Sequence, residues 1–136
     1  MKPEHRWWIR QQMAAQPDAD FATLSNDQTH NVRSEVAGNL CTPPDILRKL
    51  ASDTVADVRL AVAGNPNTPS DALYDLAKDE MFAVRGQVLI NPSTSLDIVR
   101  CLLPSLGIWA CYQVTLQQYF HGVWSNTYMG PVRFLP

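Results

Sequence analysis

The dipeptide Val-Arg recurs at 32–33, 58–59 and 84–85, 26 residues apart, and each time it opens a stretch that passes through Asn, Thr, Asp and a pair of aliphatic residues. A fixed period of this length is the signature of a stack. A unit too small to bury its own apolar face must pack on a copy of itself. The period divides the chain into units 32–57, 58–83 and 84–109, with a weaker earlier copy traceable through Pro17, Phe21, Leu24 and Asp27. Residues 1–31 then read as an N-terminal cap with a degenerate repeat, and 110–136 as an aromatic C-terminal cap. Together they make a single repeat domain.

Within each unit two helices are expected. Val32/Val36/Ala37, Val58/Val62/Ala63 and Val84/Val88/Leu89 put apolar side chains at i, i+4 and i+5, one face of a short helix. Asn65-Pro66 and Asn91-Pro92 end that helix in two copies, because proline pushes the residue before it out of the α region. Thr42-Pro43-Pro44-Asp45 and Thr68-Pro69-Ser70-Asp71 then start a second helix, with threonine as N-cap, proline early in the first turn and aspartate facing the orphan amides. The third copy, Thr94-Ser95-Leu96-Asp97, lacks the proline. Ile46/Leu47/Leu50/Ala51, Ala72/Leu73/Leu76/Ala77 and Ile98/Val99/Leu102/Leu103 form the stripe this helix buries, so truncating Leu50 or Leu76 to Ala is expected to cost about 2–5 kcal/mol. No segment alternates with period two, which makes the fold class all-α.

The pattern V-R-x-x-V-A-x-N-P-x-T-P-x-x-x-L-x-x-L-A-x-D over about residues 17–103 resembles the leucine-rich repeat variant family. The resemblance implies a right-handed superhelix in which α and short 3₁₀ helices alternate, a solenoid similar in outline to the armadillo and HEAT arrays. It does not imply one activity. The founding type carries an iron–sulfur cluster on a separate group of cysteines. The three cysteines here, Cys41, Cys101 and Cys111, are dispersed and lack C-x2-C spacing, so no cofactor is expected and buried thiols are the reading.

Several recurring residues could bind something. Arg33, Arg59 and Arg85 share one repeat position and would form a ladder whose guanidinium forks suit phosphate or carboxylate. Aspartates at the same period, Asp27, Asp53 and Asp79, each six residues upstream, offer them internal ion pairs instead. Asn39, Asn65 and Asn91 are expected to hold the turns that follow them, and Asp45, Asp71 and Asp97 to serve the first turns of their helices. His5, His30 and His121 have no companion at ligand or catalytic spacing, so no catalytic residue and no metal site is assigned and the chain reads as a non-enzyme.

Charge narrows the partners further. The formal net charge of −2 removes the usual electrostatic case for nucleic acid or an anionic membrane, leaving the arginine ladder as its only argument. Residues 101–132 contain no Lys, Arg, Asp or Glu, yet include Trp109, Tyr112, Tyr119, Phe120, Trp124 and Tyr128. An uncharged aromatic end that closes the stack is also what anchors a protein interface. The expectation is therefore a protein-interaction scaffold, binding a partner or a second copy (possible homo-dimer through the C-terminal end), through its superhelical face or that end. Trp7, Trp8 and Ile9 are expected to form a hydrophobic N-terminal cap. The first ten residues lack the apolar run of a secretory signal, and no stretch is apolar enough for a membrane span, which points to the cytoplasm.

Overall fold

The computed structural model describes residues 6–106, which form eight helices: α1 (Trp7–Ala14), α2 (Phe21–Leu24), α3 (His30–Gly38), α4 (Pro44–Leu50), α5 (Ala56–Gly64), α6 (Ser70–Leu76), α7 (Phe82–Ile90) and α8 (Leu96–Leu106). There is no strand among the described residues. The helices α3, α5 and α7 begin 26 residues apart, as do α4, α6 and α8. The first helices of successive units pack side by side, α1 on α3, α3 on α5 and α5 on α7, while α4 packs on α6 in a second row. Trp109, Tyr112, Tyr119, Phe120, Trp124 and Tyr128, together with Cys111, lie outside the described residues.

One continuous core runs between the two rows. Val32, Val36, Val58, Val62, Val84 and Val88 enter it from the first helices, and Leu47, Leu50, Leu73, Leu76, Ile98 and Leu102 from the second. These are the positions marked by the i, i+4 and i, i+1, i+4, i+5 spacings, with Ile46, Ala51 and Leu89 at its margin. Leu50 and Leu76 are 2% and 1% exposed. The expected loss of about 2–5 kcal/mol for either Leu→Ala change is read as a lower urea midpoint at unchanged slope.

Four expectations need correction. Both helices of each pair are α-helical, where the resemblance implies α alternating with short 3₁₀ helices: the amides of Leu47 and Ala51 donate to the carbonyls of Pro43 and Leu47 at 3.2 and 2.9 Å, and those of Leu73 and Ala77 to Pro69 and Leu73 at 3.0 and 2.9 Å. Seven residues suffice for i→i−4 closure, and i→i−3 bonds such as Ile46 N to Pro43 O accompany it at the helix ends. Threonine is not the N-cap. That place is taken by Pro43 and Pro69, while the Thr42, Thr68 and Thr94 hydroxyls donate back to the carbonyls of Val36, Val62 and Val88 at 2.5, 2.6 and 2.6 Å. A buried carbonyl at the end of the first helix is the nearer and more costly orphan. In the third unit Ser95, which replaces the proline, accepts from the Ile98 amide at 3.5 Å.

At the N-terminus α1 covers α3 through buried Ala14, whereas Trp7, Trp8 and Ile9 remain 39%, 41% and 38% exposed, so they do not form a sealed cap. The two indoles meet edge to face at 6.4 Å. Cys41 and Cys101 are exposed free thiols, not buried ones. Cys41 lies in the turn between α3 and α4, and Cys101 on α8.

Candidate functional site

The arginines form a column that begins one rung earlier than their spacing indicates. Arg33 donates from Nε and Nη2 to Asp53 Oδ2 and Oδ1 at 2.7 and 3.1 Å, and Arg59 does the same to Asp79 at 2.6 and 3.2 Å. Arg10 grips Asp27 with the same edge at 2.5 and 3.2 Å. The sequence interval is 20 residues in two rungs and 17 in the first. The first unit is three residues short, and a search at fixed period misses Arg10 for that reason.

Asp27, Asp53 and Asp79 lie in the linkers before α3, α5 and α7. Each carboxylate also accepts the amide two residues on, from Thr29, Val55 and Met81 at 2.8, 2.9 and 2.8 Å. This Asx turn sets the direction in which the next helix leaves. The arginine six residues downstream does bind this linker, but through its backbone: Arg33 Nη1 donates to Asp27 O at 2.7 Å, Arg59 to Asp53 O at 2.8 Å and Arg85 to Asp79 O at 2.6 Å. The expected pairing with the carboxylate six residues upstream is thus corrected. Arg33 and Arg59 thus each hold the carbonyl of one linker and the carboxylate of the next.

The asparagines make a second column. Asn65 Nδ2 donates to Ala37 O and Asn39 O in the preceding unit at 2.8 and 2.9 Å while its Oδ1 accepts the Asn67 amide at 2.9 Å. Asn91 repeats this on Ala63 O, Asn65 O and the Ser93 amide, and Asn39 on Ala14 O, Gln16 O and the Cys41 amide. The turn-holding role read from the sequence is half of what the amide does. The other half clamps neighbouring units, and only an amide side chain supplies the two donors and the acceptor this needs.

Burial pushes the carboxyls of Asp27, Asp53 and Asp79 up, but the hydrogen bonds and charge of Arg10, Arg33 and Arg59, with the linker amides, outweigh it and hold all three below their ordinary value. Their folded values therefore lie under the unfolded one of about 4, so the stability they contribute is complete at neutral pH and is lost as pH falls through the folded values. The urea midpoint should stay level from pH 7 to about 5 and then drop steeply. In Asp79→Asn the drop should be shallower.

Arg85 differs. It has no carboxylate: Nη1 is anchored on the carbonyls of Asp79 and Glu80 at 2.6 and 3.1 Å, while Nε is sealed from solvent with no acceptor. Leaving such a donor unsatisfied costs about 1–3 kcal/mol. The residue 20 positions on is Ser105, inside α8, whose hydroxyl donates to Leu102 O at 2.8 Å. Of the three arginines named from the sequence as anion ligands, Arg33 and Arg59 are occupied, and an anion could reach them only by displacing Asp53 or Asp79.

Elsewhere, Asp45 and Asp71 flank Arg48, each at 2.8 Å, an exposed bridge between units. No group of three His, Cys, Asp or Glu among the described residues could hold a metal ion, and no helix among them is long and apolar enough to cross a membrane.

With this geometry in place, residues 56–81 are seen to fit the model of the leucine rich repeat variant family. The matched stretch is one complete unit, from the start of α5 to the residue before α7, and contains Arg59, Asn65, Thr68 and Asp79. No curated protein and no solved structure matches the chain.

Proposed function

We propose that the chain is a non-catalytic interaction scaffold, a right-handed helical solenoid of 26-residue units whose surface binds a protein partner or a second copy. The observation that carries this is how the repeated polar residues are used. Asn39, Asn65 and Asn91, the three threonines and all arginines of the column but Arg85 are consumed in holding one unit to the next. What such an array offers is an extended, shape-persistent surface. Leu40, Phe82 and Leu96 stand on it 63%, 62% and 62% exposed, and large apolar side chains of this kind favour association.

The aromatic stretch from Trp109 to Tyr128 is the second surface in this proposal. Mass in solution and cross-linking of the full chain test it. A dimer, or a complex with a defined protein, that dissociates when Trp124 and Tyr128 are changed to Ser supports the reading. A chain that stays monomeric and yields no cross-linked partner removes it.

The competing reading, a nucleic-acid or phosphate binder using Arg33, Arg59 and Arg85, requires binding that weakens steeply with salt. If Arg59→Ala leaves nucleic-acid retention unchanged while lowering the unfolding temperature, that reading fails.

A further inference from the structure

We propose that Thr54 is a phosphorylation site, where a serine/threonine kinase that selects acidic sequences sets a phosphate within reach of the Arg33 guanidinium. The inference goes beyond the scaffold reading and does not depend on it.

The next unit shows what an anion at this position meets. Thr54 follows Asp53 as Glu80 follows Asp79. Arg33 and Arg59 hold those two aspartates through the same atoms, Nε on Oδ2 at 2.7 and 2.6 Å and Nη2 on Oδ1 at 3.1 and 3.2 Å, so the geometry of one rung carries over to the other. In the later rung the Glu80 carboxylate comes to 3.8 Å from Arg59 Nη2 while its side chain stays 87% exposed. A side chain standing in solvent at this position therefore reaches the guanidinium. Thr54 is likewise exposed, and its hydroxyl bonds to no described residue.

A phosphate supplies the length and the charge. A phosphothreonine oxygen lies as many bonds from Cα as a glutamate carboxylate oxygen does, and the group brings a charge of about −1.5 to −2 with three acceptor oxygens. In the transfer, Thr54 Oγ1 attacks the γ-phosphorus of ATP and the new Oγ1–P bond forms as the bond to the β-phosphate oxygen breaks. The hydroxyl proton passes to the kinase's aspartate base, and ADP leaves.

Position selects this hydroxyl among its rivals. A kinase with a basic substrate cleft favours an acid near the acceptor hydroxyl, and the hydroxyl residues followed by an acid three positions on are Thr42, Thr54, Thr68 and Thr94. The other three are already engaged: Thr42 and Thr68 are buried, Thr94 is half-buried, and each donates to a carbonyl in the last turn of a first helix. Thr54 lies in the linker between α4 and α5, and its following acid, Asp57, is exposed.

The test uses the full chain in two forms. Incubation with ATP and an acid-directed serine/threonine kinase, read by peptide mass spectrometry, should place phosphate on Thr54. Phosphate only elsewhere, or none, overturns the proposal. The chain made with phosphothreonine at position 54 should show a phosphate pKa below that of the blocked phosphorylated peptide Ser-Asp-Thr-Val-Ala, the linker sequence at 52–56, where it is about 6, because a neighbouring guanidinium favours the dianion. Its unfolding temperature should exceed that of the unmodified chain by about 2–4 °C at low salt, a gain that shrinks at about 1 M salt. Arg33→Gln should return the phosphate to the peptide's pKa. A phosphate that titrates alike in the unaltered chain and in the peptide overturns the proposal even if Arg33→Gln fails to fold.

Discussion

Replacing Asn65 by Ala should cost roughly 3–6 kcal/mol, because one buried and two part-buried groups lose their partners together and a fully buried one is worth about 1–3 kcal/mol when left unsatisfied. The orphaned groups are the carbonyls of Ala37 and Asn39 and the amide of Asn67, and Asn65 itself is only 2% exposed, so water cannot readily replace the amide. Against a total of about 5–15 kcal/mol for a domain of this size, that is enough to unfold a large fraction of the chain at ambient temperature. Asn39→Ala should cost less, since Asn39 is half-buried and its clamp reaches the shorter first unit. Asn65→Asp is the sharper probe: it keeps the shape and the acceptor but sets a carboxylate oxygen against two carbonyls. If urea unfolding finds Asn65→Asp close to the unaltered chain, the clamp is not what conserves the spacing between units.

The apolar stripes are legible in the sequence, and the two polar columns much less so. Both helices of each unit were legible because the apolar spacings and the Asn-Pro and Thr-Pro punctuation act locally, and local rules decide them. The stripe residues Val58, Val62, Leu73 and Leu76 are all buried as expected. What a residue bonds across units was not legible, because it depends on where the linker folds back. Spacing alone pairs Arg33 with the aspartate six residues away, whereas the carboxylate beside its fork is the one twenty away. Arg10 was passed over for a different reason: three missing residues take it out of register while leaving its geometry unchanged. Threonine was misassigned because a helix-start signal and a helix-end duty use the same hydroxyl, and which orphan it serves is fixed by burial. The uncharged end after Leu106 lies outside the described residues, so its part in the proposed function rests on composition alone.

Asp53→Ala should cost about 3–5 kcal/mol, the range for removing one partner of a desolvated ion pair. Arg33 and Asp53 are 15% and 9% exposed, so the guanidinium edge left behind finds little water, and the Val55 amide that starts α5 is orphaned with it. The loss extends beyond one rung, because Arg59 holds the carbonyl of Asp53 and its own grip on Asp79 depends on that anchor. Asp27→Ala should cost less, since Arg10 is 29% exposed and can be rehydrated. A double change of Arg33 and Asp53 to Leu should cost less than the sum of the single changes, because it leaves no buried charge unpaired. Equilibrium unfolding of these variants decides the matter. Equal losses below about 1 kcal/mol for Asp53→Ala and Asp27→Ala would place the column among ordinary surface ion pairs, in which neither partner is desolvated enough for its loss to matter.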